Sequence, residues 1–186
     1  MNYNYEAKKI QYVTEEEYYS LPEERRCELI NGIFYDMSSP STVHQLIVSA
    51  LNRAIANHIS LKGVPCKVIP APYDVKLFPD EDGNIVQPDL SIICDRSKIK
   101  ENRCEGAPDW IIEVASPGNL SHDYITKLKL YRDAGVKEYW IVNPMNGSVQ
   151  TYLLQDEIFA AKEYSMRENV PSHIISGLSI DFKDME

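Results

Sequence analysis

The chain has 186 residues, of which 44% are hydrophobic and 25% charged, and its formal net charge is −9 at pH 7. This length and composition predict one globular domain over residues 1–186 and exclude a disordered or fibrous protein. Nonspecific coating of nucleic acid depends on Lys and Arg that neutralise phosphates. The negative charge therefore excludes that class of binder, although it permits local contact with a nucleic acid.

The sequence predicts neither a membrane span nor an export signal. Its apolar runs are shorter than the roughly 18–20 residues that cross a bilayer, and its first residues lack the basic and apolar segments of a signal peptide. The cysteines, Cys27, Cys66, Cys94 and Cys104, form no Cys-x-x-Cys pair of the kind that binds zinc. We therefore expect a cytoplasmic protein with no membrane partner and with free, mostly buried thiols.

Two helices and a hairpin are predicted in the first third of the chain. Thr14 with Glu17 three residues later forms a capping-box pattern, which predicts a short helix ending near Pro22. Asn31-Gly32 lies between two apolar runs and predicts a β-hairpin, because both residues tolerate a positive φ. Apolar residues then recur at helical spacing over 41–60, which predicts a long amphipathic helix.

Strands and one further helix are predicted in the rest of the chain. The strands are expected at 66–78, 90–94, 110–115 and 138–142, in a hairpin of 149–154 with 158–164, and in one or two short segments after Pro171. A helix is predicted over 122–134, with Gly135 as its left-handed stop. Strand, helix and strand over 110–142 form a βαβ-like unit, so we expect an α/β (α+β) fold with a mixed sheet and helices packed against it.

Glu113 is a carboxylate within the apolar strand 110–115. Burying such a group is costly unless it is paired, protonated or bound to a cation. Because strand side chains alternate, Glu113 shares a face with Ile111 and Ala115. Taken alone, it is equally explained as a strand-end acid that pairs with a Lys or Arg or that contacts water.

Asp89 is a second carboxylate, at the start of the strand 90–94, where the preceding Pro88 cannot donate to a β-ladder. Two carboxylates about 4 Å apart repel by roughly 4 kcal/mol at an effective dielectric constant of about 20. Converging acids therefore indicate a shared proton or a metal. Hard carboxylate oxygens suit Mg²⁺ or Mn²⁺, which keep several waters and accept phosphate oxygens.

Pro88-Asp89 followed by a strand glutamate resembles the PD-(D/E)XK nuclease superfamily, except that Ala115 stands where that pattern has lysine. The chain more fully resembles the Uma-two family of restriction-endonuclease-like proteins, over about Tyr18 to Leu154. The resemblance rests on an ordered set of segments: Glu28-Leu29-Ile30-Asn31-Gly32, His44 at the start of a long helix, Pro88-Asp89, Ala107-Pro108-Asp109, Glu113-Val114-Ala115-Ser116-Pro117, Asp123-Tyr124-Ile125-Thr126-Lys127, Tyr131, and 135–144.

This resemblance implies a restriction endonuclease-like fold: a central mixed β-sheet flanked by helices, with an N-terminal and a C-terminal hairpin. It implies a metal-dependent endonuclease that hydrolyses phosphodiesters of nucleic acid, with DNA the expected substrate and a homodimer as a plausible assembly. Mg²⁺ or Mn²⁺ would be held by Asp89, Glu113 and the backbone carbonyl of Val114. The catalytic lysine would lie on the following helix, as Lys127, and Glu28 would be a further ligand, directly or through water.

The helical spacing of 122–134 gives an independent test of which lysine on this helix points toward Glu113. Lys127 lies about 60° from the centre of the apolar face, whereas Lys129 points toward solvent. Lys127 is therefore the lysine that reaches Glu113, where it would orient the attacking water or stabilise charge developing on the phosphate. The alternative is an i,i+4 ion pair with Asp123, worth about 0.2–0.5 kcal/mol.

Two other features have alternative explanations. His44 either satisfies a polar group of the core or binds metal or substrate. The basic run 96–103 is interpreted as a solvated loop, with a patch that contacts a nucleic-acid backbone as the alternative.

Three functions follow from these patterns. The first is an active metal-dependent endonuclease. The second is a non-catalytic binding or assembly module that keeps the fold, favoured by the net acidity and by the missing strand lysine. The third is a metal-dependent phosphohydrolase of a small nucleotide, which no Gly-rich phosphate loop in the sequence supports.

Overall fold

The computed structural model describes residues 12–22, 24–116, 122–183 and 185, without the side chains of 122–124. The helices are α1 (Glu15–Tyr19), α2 (Thr42–Lys62) and α3 (Leu128–Ala134), with a π-helical turn at His122–Lys127 and a 3-10 turn at Arg96–Lys98. The strands are β1 (Cys27–Ile30), β2 (Ile33–Asp36), β3 (Lys67–Pro70), β4 (Asp74–Lys76), β5 (Ile85–Val86), β6 (Leu90–Ile93), β7 (Arg103–Glu105), β8 (Trp110–Val114), β9 (Glu138–Asn143), β10 (Ser148–Gln155), β11 (Ile158–Ser165), β12 (Asn169–Pro171) and β13 (Ser179–Asp181).

The described strands form three sheets: a central sheet, a second, smaller sheet, and the two-stranded pair β12–β13. The six-stranded central sheet has the order β11-β10-β9-β8-β6-β3, in which β8 and β9 are parallel and the other pairs antiparallel. The five-stranded second sheet has the order β2-β1-β5-β4-β7. The predicted α+β fold with a mixed sheet and the βαβ-like unit are therefore confirmed. The N-terminal hairpin belongs to the second sheet, and the C-terminal hairpin extends the central one.

The two faces of β8 contact different layers. Trp110, Ile112 and Val114 pack into an apolar cluster with α2 and the β12–β13 tail. Ile111 and Ala115 pack on the opposite face with α3 and with residues of the second sheet. Glu113 lies on this second face, as the strand alternation predicted, so its carboxylate is held between the two sheets.

Local sequence signals account for the first elements. Thr14 caps α1, and its reciprocal bonds with Glu17 complete the capping box. Asn31 and Gly32 connect β1 to β2 with φ angles of 51° and 72°, the left-handed geometry that a two-residue hairpin turn requires. These predicted elements are confirmed, and so is the long helix, which begins after its cap Ser41.

The predicted strand 66–78 was wrong as one element. It consists of β3, at the edge of the central sheet, and β4, in the second sheet. Pro70 and Pro72 lie at the break, and proline has no N–H to donate to a ladder, so the chain leaves one sheet there and enters the other.

The prediction of four free thiols was wrong for two cysteines. Cys66 and Cys94 form a disulfide, whereas Cys27 and Cys104 are free and buried. The paired cysteines extend the β3–β6 ladder by one position beyond the pair Lys67 and Ile93, which places them directly opposite each other. Disulfides are rare in reducing compartments, so the cysteines do not support the predicted cytoplasmic location. Within the described residues, no helix combines the length and apolarity of a membrane span.

The basic run 96–103 binds its own chain. The Arg96 guanidinium donates to the carbonyl of Pro65, and the Lys98 ammonium donates to that of Ala107. Arg103 pairs with Glu15 and Glu105. These basic side chains therefore contribute to the fold, and the patch that contacts a nucleic-acid backbone stays a prediction.

Asp109 connects three strands of the central sheet. Its carboxylate accepts the backbone N–H of Cys94 at 2.7 Å and the ammonium of Lys137 at 2.6 Å. Burial by itself raises the pKa of Asp109, but the bonds from Lys137 and Cys94 outweigh burial and bring the pKa below its ordinary value of 3.8. The carboxylate therefore stabilises the fold in its ionised form.

Asp109→Asn should lower the free energy of unfolding by about 1–2 kcal/mol at neutral pH. The substitution removes the charge-assisted hydrogen bond between this carboxylate and the largely exposed ammonium of Lys137. The difference from the wild type should shrink as the pH falls below 3.8, since a carboxyl with a lowered folded-state pKa stops contributing as the pH falls through that pKa. Urea unfolding at neutral and acid pH tests this, with exposed Asp80→Asn as control. A difference that stays constant with pH would contradict it.

Candidate active site

A pocket of about 760 Å³ lies where the two sheets meet. The N-terminal hairpin, the start of α2, the start of β6, the end of β8 and the π-helical turn all contribute to its lining. The lining includes each of the residues predicted from the sequence: Glu28, His44, Asp89, Glu113, Val114 and Lys127. Segments far apart in the chain therefore bring these residues together.

Glu113 lies at the base of the pocket and is 5% exposed. Its Oε1 accepts the Lys127 ammonium at 2.7 Å and the Tyr131 hydroxyl at 2.9 Å. Its Oε2 accepts the backbone N–H of Asp89 at 3.2 Å. The two side-chain donors therefore hold one oxygen of Glu113, and the other is directed toward Asp89.

Lys127 connects the two sheets. Besides Glu113 of β8, its Nζ contacts Glu28 Oε1 of β1 at 2.9 Å. The same Glu28 oxygen accepts the backbone N–H of Gln87 at 2.9 Å. Lys127 and Glu28 are only 4% and 3% exposed. A buried ammonium with two carboxylates satisfies the requirement that charges removed from water be paired.

Asp89 lies closer to the pocket opening, with 17% of its side chain exposed. Its Oδ2 accepts the backbone N–H of Val114 at 2.8 Å and lies 3.1 Å from Nε2 of His44. His44 thus contacts a predicted metal ligand, and this contact agrees both with a functional histidine and with one that satisfies a buried polar group.

The π-helical turn His122–Lys127 determines how Lys127 enters the site. Its i→i+5 bonding differs from the regular helix assumed from the sequence, and π-turns are frequent at functional sites. Lys127 is nevertheless the inward lysine, and Lys129 is the exposed one, paired with Asp133. The Asp123 side chain, the alternative partner, lies outside the described residues.

Ala115 occupies the strand position where the superfamily pattern has lysine. Its side chain is 2% exposed and packs in the same apolar cluster as Leu130 and Tyr131 of α3. A small residue lets the helix lie close over the strand. Lys127 then reaches the Glu113 carboxylate from that helix.

Sequence reasoning missed the contact of Tyr131 with Glu113. Tyr131 is among the segments that carry the family resemblance but had no predicted role in the site, and it is fully buried. The available signal was its spacing, because residues four apart share a helix face and Tyr131 follows Lys127 by four. A buried tyrosine usually finds a partner for its hydroxyl.

The donor set limits what kind of metal site these residues could form. Within the described residues, no group of three or more His, Cys, Asp or Glu is arranged to hold a metal. Mg²⁺ is usually bound through one or two carboxylates and keeps several waters, so a protein cage is not required. The neighbouring carboxylates of Asp89 and Glu113 fit such a site. Val114 reaches Asp89 through its N–H, and its carbonyl is the predicted third ligand.

Comparison with known proteins bears on the fold and the family of the chain. A relative in Synechocystis sp., "Uncharacterized protein slr1290", is 28% identical over 145 residues, which cover 76% of this chain and 74% of the relative. The crystal structure of "a putative nuclease belonging to DUF820" from Anabaena variabilis superposes with a TM-score of 0.75 at 23% identity, covering 93% of this chain and 97% of that one. This likeness confirms the fold.

The family model that matches the chain covers residues 15–183, nearly its whole length, and is the Uma2 model described as "Putative restriction endonuclease". The family predicted from the ordered motifs is therefore confirmed: the chain belongs to the Uma2 family of restriction-endonuclease-like proteins.

Proposed function

We propose that this chain is a metal-dependent endonuclease that hydrolyses phosphodiester bonds in DNA, with Mg²⁺ or Mn²⁺ as cofactor. The observation that carries the proposal is the buried contact of Lys127 with Glu113, beside Asp89, in an open pocket. An acid pair with an adjacent ammonium is the arrangement that phosphodiester hydrolysis needs, and the family membership agrees with it.

Asp89 and Glu113 would hold the cation, together with the backbone carbonyl of Val114. The bound cation supplies Lewis-acid polarisation of a phosphate oxygen. The contacts of Asp89 with the Val114 N–H and with His44 fix the orientation of its carboxylate. The lysine and tyrosine contacts fix that of Glu113.

Lys127 would orient the attacking water or stabilise negative charge on the phosphate as that charge develops. Its ammonium is held between Glu28 and Glu113, so it is already positioned before substrate binds. In this proposal Glu28 is a positioning residue for Lys127, in addition to its predicted part as a metal ligand, directly or through water. The homodimer and the cytoplasmic location stay predictions.

Asp89→Ala and Glu113→Ala should each lower DNA cleavage by about 100-fold or more, because each removes a charged group from the reacting centre. Cleavage of labelled DNA and RNA with Mg²⁺ or Mn²⁺ measures this, with the exposed Glu101→Ala as a matched control. Cleavage that persists unchanged in the Asp89→Ala, Glu113→Ala double variant would refute the assignment.

Thermal melting with Mn²⁺ separates the endonuclease from a non-catalytic module of the same fold. At about 100 times the dissociation constant of a site, the metal should add roughly 2.7 kcal/mol of stability. The Asp89→Ala variant should lose this gain. If Mn²⁺ gives no gain and no nucleic acid is cleaved, the chain is the binding or assembly module.

A further inference from the structure

The predicted reacting groups are recessed below the protein surface. Glu28, Glu113 and Lys127 are 3%, 5% and 4% exposed and lie at the base of the pocket. A scissile phosphate must come within hydrogen-bond distance of such groups to react. The nucleic-acid backbone must therefore enter the pocket. An unpaired strand can do so more readily than a strand that is held in a regular duplex.

An aromatic side chain lies next to these buried groups at the bottom of the pocket. Tyr35 is the direct cross-strand partner of Glu28, so the two side chains stand on the same face of the hairpin. Tyr35 is half-buried and lines the pocket. The apolar residues Met37, Pro40 and the exposed Ile125 line it as well. The volume of about 760 Å³ lies within the range of pockets that enclose small molecules, which includes a nucleotide.

The charges of the lining do not favour a duplex. Among the described lining residues, the carboxylates Glu28, Asp36, Asp89 and Glu113 outnumber the cations Arg26 and Lys127. The basic run 96–103 contacts its own chain and contributes no residue to this lining. Duplex binding depends on many Lys and Arg contacts to phosphates, whereas single strands are also held by stacking of bases on aromatic rings.

We infer that the pocket receives an unpaired nucleotide of a single-stranded DNA, with its base stacked on Tyr35 and its phosphate beside the Lys127 ammonium and the cation that Asp89 and Glu113 would hold. This inference rests on the proposed function and names the substrate class of the same site. Tyr35 is then a binding residue for the base. Binding of the single strand then depends more on stacking against the Tyr35 ring than on ionic contacts of Lys and Arg with its phosphates.

The test offers one fluorescein-labelled DNA oligonucleotide as a single strand, as a perfect duplex, and as that duplex with one unpaired nucleotide. Binding by fluorescence anisotropy and cleavage with Mn²⁺ are measured in parallel. The single strand and the bulged duplex should be cleaved at least about tenfold faster than the perfect duplex. The logarithm of the single-strand binding constant should fall only weakly with the logarithm of the salt concentration. Its slope is about −0.7 for each phosphate that the protein neutralises, and we expect few such phosphates.

Variants at Tyr35 separate stacking from folding. Tyr35→Leu should weaken single-strand binding about tenfold or more, as loss of one base–aromatic stack implies, whereas Tyr35→Phe should retain it. Tyr164→Leu is the control, because Tyr164 is also half-buried but lies on β11 and not in the lining. Melting temperatures of all three variants report on folding.

Equal binding and cleavage of single strand and perfect duplex would overturn the inference and leave the proposed function standing, and so would normal binding by a folded Tyr35→Leu variant. If no probe is cleaved, the proposed function fails. A preference for single strands that depends on Tyr35 in the anisotropy measurement would then still support the binding site, and its absence would overturn it.

Discussion

Lys127→Met should lower nuclease activity by about 100-fold or more and the free energy of unfolding by about 3–5 kcal/mol. The ammonium contacts both Glu28 and Glu113, which are almost fully buried. Methionine keeps much of the side-chain volume but removes the cation, so two buried carboxylates lose their shared counter-charge. The same change removes the group proposed to act on the phosphate.

Urea unfolding followed by tryptophan fluorescence measures the stability loss, because Trp110 and Trp140 are both fully buried in the core. Lys129→Met is the matched control on the same helix, and its exposed ion pair should contribute less than about 0.5 kcal/mol. Glu28→Gln combined with Lys127→Met should cost less stability than the sum of the single changes. A stability loss as small as that of Lys129→Met would mean that Lys127 is not the counter-ion of these acids.

Glu138→Ala should lower the free energy of unfolding by at least about 3 kcal/mol, because it leaves the buried indole N–H of Trp140 and several part-buried donors without their acceptor. Glu138 is fully buried at the start of β9. Its carboxylate accepts the indole N–H of Trp140 at 2.8 Å, the hydroxyl of Ser172 at 3.1 Å, and the backbone N–H groups of His173 and Ile174 at 3.0 Å. One side chain thus connects the C-terminal tail to the central sheet.

The same unfolding measurement tests this prediction. Glu138→Gln keeps the side-chain volume but replaces an acceptor with a donor, so its loss reports the hydrogen bonds and not a cavity. Glu163→Ala is the control, because Glu163 is exposed on β11 and should change stability by no more than about 0.5 kcal/mol. If Glu138→Gln were as stable as the wild type, the carboxylate would not be what holds the tail.

Local patterns in the sequence predicted most of the elements, and the family resemblance predicted the members of the site. Asn31-Gly32 and the Thr14 capping box were sufficient for their turn and helix start, because both depend on neighbouring residues. The alternation along β8 predicted which face Glu113 occupies. The ordered motifs predicted the family, and helical spacing selected Lys127 over Lys129.

Nonlocal features could not be predicted in the same way. The pairing of β1 with β5, which creates the second sheet, joins residues more than fifty positions apart and leaves no periodic signal. Cys66 and Cys94 are 28 positions apart, and only the register of β3 with β6 places them opposite each other. The contact of Lys127 with Glu28 depends on how the two sheets pack, so Glu28 was placed near the site by resemblance alone.

The position of Lys127 has a consequence for how related sequences are sorted. A pattern search that requires lysine two residues after the strand glutamate would classify this chain as lacking the residue. Here an ammonium reaches the carboxylate from 14 residues further along the chain, at the end of a π-helical turn. Sequences with a small residue after the strand glutamate should therefore be searched for a lysine at this longer spacing before they are grouped with degenerate nucleases.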